Sequence, residues 1–119
     1  AKVVEMERRF LELLHDAWPD SVLNTRDAER AAGTMSLRFP GTHAESMLMN
    51  LDLAGIAVSL GSACSSGAVE ASHVLRAMGL SLEENYASLR VSIASTNTMA
   101  EIEIFASTLR EMRTKRLRA

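Results

Sequence analysis

Ser88-Leu89-Arg90-Val91-Ser92-Ile93 alternates polar and apolar residues without a break. Successive side chains of a strand point to opposite faces, so this spacing predicts a β-strand with Leu89, Val91 and Ile93 buried and Arg90 on the opposite face. Two other stretches share the pattern. Met35, Leu37 and Phe39 alternate with Ser36 and Arg38 until Pro40-Gly41 stop the strand, and Ile56, Val58 and Leu60 alternate just before a Gly- and Ser-rich segment.

Outside these strands the apolar spacing becomes helical. Val3, Met6, Phe10, Leu13, Leu14 and Ala17 share one face, with Glu5, Arg8, Arg9 and Glu12 on the other. Trp18-Pro19-Asp20-Ser21 ends that helix, because Pro lacks an N–H and restricts the residue before it. Polar residues from Asn24 to Gly33 read as a surface loop. Thr42-His43-Ala44-Glu45 has the capping-box pattern ahead of Met47, Leu48 and Leu51, a helix ending near Gly55. Val74, Leu75 and Met78 mark a third helix closed by Gly79. Ser81-Leu82-Glu83-Glu84 opens one short helical turn, and Thr98-Met99-Ala100-Glu101 caps a last helix whose Ile102, Phe105, Ala106 and Leu109 face inward. Three short strands interleaved with about four helices predict an α+β two-layer domain.

With 119 residues, 47% hydrophobic and 24% charged, the chain has room for one domain, 1–119, and not for a second. Thirteen Lys and Arg against fifteen Asp and Glu give a net charge of −2, which favours neither nucleic acid nor an acidic membrane surface. Arg110, Arg113, Lys115, Arg116 and Arg118 crowd the end of the last helix, where cations complement the macrodipole. The apolar runs are too short to span a bilayer and the first residues do not form a signal peptide, so the expectation is a soluble cytoplasmic protein. The chain opens on Ala1, directly in amphipathic sequence, which suits a piece of something longer and equally a processed start.

Cys64 is the one cysteine, so an internal disulfide and a Cys-only metal site are both ruled out. It lies in Gly61-Ser62-Ala63-Cys64-Ser65-Ser66-Gly67, a small-residue stretch that would present a thiol in a flexible loop ahead of a helix. Amides at that helix start would favour the thiolate. The alternative is a small buried residue in a turn; the lack of bulky apolar neighbours favours exposure. Arg90 could bind a carboxylate bidentately, or could be a solvent-facing residue of an edge strand. His73, in the expected third helix, reads as a packed or solvated helix residue, and His15 and His43 have no zinc-ligand spacing. Lys2 and Lys115 are the two lysines, and neither is placed to lose its charge in a pocket as a Schiff-base amine. No Gly-rich phosphate loop opens a helix, so this chain does not anchor a phosphorylated cofactor by itself.

Gly61 to Leu80 resembles the active-site cysteine segment of cysteine desulfurases. Thr34 to Leu48 is similar to that family's strand, Phe-Pro-Gly turn and following helix, and Ser88 to Ser92 to the strand bearing its substrate arginine. The similarity runs over residues 24 to 110. It implies the small C-terminal domain of a fold-type I pyridoxal-phosphate transferase, with a three-stranded, mainly antiparallel sheet and about four helices. The cofactor lysine and phosphate ligands then belong to a large domain absent from this sequence. The resemblance makes Cys64 the nucleophile and persulfide carrier and gives Arg90 the carboxylate of the L-cysteine substrate. It implies a homodimer that converts cysteine to alanine and passes sulfur to an acceptor or Fe–S scaffold protein, with no metal, nucleic acid or membrane involved. The Cys-Ser-Ser-Gly form with His73 looks closest to the nitrogen-fixation-associated type. Ser36 stands where Asn is common, Ala71 where Pro is, and Ala94-Ser95 where Gly-Arg is frequent. The fragment alone is expected to be inactive. A stand-alone persulfide carrier and a selenocysteine lyase relative are the competing readings.

Overall fold

The computed structural model describes residues 2–24, 32–51, 56–60, 63–65, 68–70, 79 and 81–118. In chain order these hold α1 (Lys2–Ala17), β1 (Val22–Leu23), β2 (Thr34–Arg38), α2 (Ala44–Leu51), β3 (Ala57–Leu60), β4 (Ala63–Ser65), β5 (Ala68–Glu70), α3 (Leu82–Tyr86), β6 (Ser88–Ser92) and α4 (Met99–Arg118). The periodicities therefore place each expected strand and all but one expected helix. The exception, around Val74, Leu75 and Met78, lies outside the described residues, as do residues 25–31 of the expected surface loop. Gly79, expected to close that helix, has a φ of 90°, a value suited to glycine.

The main sheet has four strands in the order β1-β2-β6-β3, all antiparallel, where the sequence led to three. The addition is β1, whose two residues pair Val22 with Arg38 and Leu23 with Leu37. A two-residue strand is too short to show an alternation, and its pairing comes from β2, eleven or more positions on in the chain. β6 is central, flanked by β2 and β3 in registers that set Met35 and Val58 opposite Val91, and Leu37 opposite Leu89.

Those apolar residues make one face of the sheet, and the helices cover it. Met35, Leu37, Leu89 and Val91 form one core cluster with Phe10 of α1, Met47 and Leu51 of α2, and Ile102, Phe105 and Leu109 of α4. Phe10 meets Phe105 edge to face at 5.4 Å between ring centroids, and Trp18 meets Phe39 at 4.9 Å. Such pairs add to the area they bury, so α1, α4 and the end of β2 are locked at fixed positions.

Two of the three expected capping boxes form. Ser81 and Glu84 exchange bonds of 2.9 and 3.1 Å, and Thr98 and Glu101 bonds of 2.8 and 3.2 Å. The third differs, because the Thr42 hydroxyl donates to the Phe39 carbonyl at 2.6 Å and so braces the turn after β2. Arg116, one of the tail cations, reaches back to donate to the Gly41 carbonyl of that same turn. Gly41 has a φ of 80°, and a β-carbon there would meet the Arg116 guanidinium.

Candidate functional site

The second face of the sheet is polar, because the strand alternation that sends Leu37, Leu89 and Val91 inward sends Ser36, Arg38, Ser59, Ser88 and Arg90 outward. Arg90 sits at its middle. Its register partners are Ser36 on β2 and Ser59 on β3. The Ser59 hydroxyl accepts the Arg90 Nε–H at 3.0 Å. Arg90 is exposed, and among the described residues no carboxylate pairs with it. It is thus a cation in the centre of a sheet, which corrects the alternative of an arginine on an edge strand.

A second arginine shares this face. Arg38 lies diagonally across from Arg90, since it pairs with Ser88. It is mostly buried and donates from Nη1 to Glu84 Oε2 at 2.6 Å. The Glu84 carboxyl is held below its ordinary value, chiefly by the Ser81 backbone N–H, then by the Ser81 hydroxyl, with Arg38 adding to both and partial burial opposing them. Charge on Arg38 is answered by Glu84, whereas among the described residues no carboxylate answers that on Arg90. A cleft of about 280 Å³ beside Arg38 carries Glu83 and Glu84, so its charge disfavours a carboxylate.

Asn24 holds the polar face together. Its side-chain amide donates to Ser36 Oγ at 3.0 Å and to Ser88 Oγ at 2.9 Å, and its backbone N–H donates to the Ser36 carbonyl. Ser88, which is fully buried, donates in turn to the Glu84 carbonyl at 2.8 Å. Asn24 was expected to begin a surface loop. No local pattern marks it as a clamp, because its partners lie 12 and 64 residues away.

Cys64 belongs to β4, which pairs with β5 as a small hairpin in which Cys64 stands opposite Val69 and Ser65 opposite Ala68. The expected irregular loop is therefore corrected to a strand at the cysteine itself. Small residues make weak strands, and this one is specified by pairing rather than by an alternating pattern. Five positions separate Cys64 from Ser59, so their α-carbons stand at most about 18 Å apart. His73 lies outside the described residues. Lys2 begins α1 and Lys115 lies in the last turns of α4, both exposed. Among the described residues no cluster of His, Cys, Asp and Glu could hold a metal, and no helix is long and apolar enough to cross a membrane.

A four-stranded antiparallel sheet is backed by helices, and the middle of its other face holds an arginine that no described carboxylate pairs. The aminotransferase class-V family model matches residues 3–105, and the chain belongs to that family. Its curated relatives are cysteine desulfurases. Cysteine desulfurase 2 of Trichormus variabilis is 39% identical over 80% of this chain and 24% of its own length. The putative cysteine desulfurase IscS 1 of Bacillus subtilis is 39% identical over 82% of this chain and 26% of its own. A cysteine desulfurase of Nostoc is 36% identical over 99% and 29%. The chain thus spans between about a quarter and a third of these relatives. The X-ray structure of a NifS-like protein from Rickettsia africae superposes with a TM-score of 0.77 at 29% identity, over 95% of this chain and 28% of that one. A second NifS-like structure, 21% identical, has the same fold with a TM-score of 0.76.

Proposed function

We propose that residues 1–119 are the small domain of a pyridoxal-phosphate-dependent cysteine desulfurase, in which Arg90 receives the carboxylate of L-cysteine and Cys64 takes its sulfur as a persulfide. The observation that carries this reading is Arg90. It is exposed at the centre of a polar sheet face, aligned through Nε, and unpaired with any described carboxylate, while the neighbouring Arg38 is neutralised by Glu84. A guanidinium with its terminal nitrogens open matches a carboxylate in both charge and shape.

Pyridoxal phosphate supplies the electron withdrawal that lets the carbon–sulfur bond of the substrate break. The residues of this chain do not fit it, because both lysines are exposed and neither offers the desolvated amine that would hold such a cofactor. The cofactor is then held by residues outside this sequence. The chain's own share is binding and acceptance. Arg90 fixes one end of the substrate, and the sulfur of Cys64, which has no second cysteine in this sequence to pair with in a disulfide, bonds to the substrate sulfur as the carbon–sulfur bond breaks, so that the carbon takes a proton and leaves as alanine. A persulfide carrier of this kind suits the reducing cytoplasm and would pass its sulfur to an acceptor or Fe–S scaffold protein, with the full-length enzyme acting as a homodimer.

Sulfur release from L-cysteine by the full-length enzyme tests the reading. Cys64→Ala abolishes release and keeps the cofactor absorbance, and Arg90→Ala raises KM by roughly a hundredfold, the scale of one charge-assisted bidentate pair. Full activity of the Cys64→Ala enzyme would overturn the nucleophile assignment.

A further inference from the structure

We propose that Ser59 is a positioning residue for Arg90, fixing which edge of the guanidinium receives the substrate carboxylate. The inference rests on the reading of Arg90 as the carboxylate site and deepens it. Ser59 and Arg90 are direct register partners across β3 and β6. Their side chains leave the same face, and the Ser59 Oγ accepts the Nε–H of Arg90 at 3.0 Å.

A guanidinium offers a carboxylate two bidentate edges, one made of Nε and a terminal nitrogen, the other of both terminal nitrogens. With Nε–H engaged by Ser59, the end-on edge of Nη1 and Nη2 remains for the ligand. Ser36, on the other flank of Arg90, has its oxygen engaged by the Asn24 amide. Ser59 also narrows the freedom of a long, exposed side chain before substrate arrives, and that ordering is otherwise charged against binding. The serine therefore acts through Arg90, and removing it should weaken the hold on substrate without touching the sulfur chemistry.

Steady-state kinetics of the full-length enzyme on L-cysteine test this with Ser59→Ala, Ser59→Thr, Arg90→Ala and the Ser59→Ala/Arg90→Ala double variant. Ser59→Ala is expected to raise KM about threefold to tenfold, the factor for leaving one long side chain unordered, with kcat unchanged. Ser59→Thr keeps the hydroxyl on a strand that tolerates β-branching and restores the native KM. In the Arg90→Ala background, Ser59→Ala has no further effect, because its partner is gone. If Ser59→Ala left KM unchanged while Arg90→Ala raised it, the positioning role would fall and the Arg90 reading would stand. An equal rise from Ser59→Ala with and without Arg90 would also overturn the proposal, since Ser59 would then act on the fold. If Arg90→Ala left KM unchanged, both would fall together.

Discussion

Leu89 and Arg90 are adjacent in the chain, yet Leu89 is fully buried in the core that residues of α1, α2 and α4 share, while Arg90 stands exposed on the opposite face of the same strand. The antiparallel registers extend this division to the neighbouring strands. Met35, Leu37 and Val91 are buried like Leu89, and Ser36 and Ser59 lie half-buried on the face of Arg90. One strand thus carries the core on one side and the proposed carboxylate site on the other, and substitutions one residue apart should separate the two.

Leu89→Ala is expected to have the largest effect on folding, about 3 kcal/mol in urea unfolding, because it opens a cavity in a closely packed site. Asn24→Ala comes next, at about 1–2 kcal/mol by the same measurement, since it withdraws the amide that bridges Ser36 and the buried Ser88. An outcome near zero would show that the polar face does not depend on its clamp. Acid has a smaller effect. Glu84 and Glu101 both titrate below the ordinary glutamate value in the folded chain, Glu101 chiefly through the Thr98 backbone N–H and then the Asn97 side chain. Groups lowered on folding stabilise above the unfolded value, so their contribution is complete at neutral pH and is lost as pH falls from the ordinary glutamate value through the lowered ones. Glu84→Gln and Glu101→Gln, which remove the titrating carboxyls, should flatten that acid-side loss in a pH series of unfolding curves. Arg90→Ala should change stability least, by less than about 0.5 kcal/mol, because it removes an exposed side chain with one described hydrogen bond. A large loss there would erase the contrast between the two faces.

Most of the fold could be read from periodicity. β2, β3 and β6 alternate, and α1 and α4 carry unbroken helical stripes, so each announces both its type and its buried face. Ser81 and Thr98 declare their caps because a capping box is contained within four residues. What escaped depends on partners distant in sequence. β1 is a strand only because β2 lies beside it, Asn24 is a clamp only because Ser88 comes within 2.9 Å, and the Thr42 hydroxyl turned to a carbonyl rather than to its expected cap. Arg90 was legible as a candidate from its place among serines and β-branched residues. Its central position, its alignment by Ser59 and the neutralisation of Arg38 were not, because each requires the register between strands.

Cys64 stands in contrast to Arg90 within the same proposed site. Arg90 is held by a ladder on each side in a four-stranded sheet, while Cys64 lies in a three-residue strand with one partner. A binding residue gains from being fixed, and an acceptor that must take sulfur from one molecule and give it to another gains from a lighter attachment. The most direct measurement is mass spectrometry of the Cys64 peptide after the full-length enzyme has met L-cysteine without reductant. One additional sulfur atom on Cys64 is the result expected here. An unmodified Cys64 in an enzyme that has turned over and formed alanine would contradict its role as the sulfur acceptor.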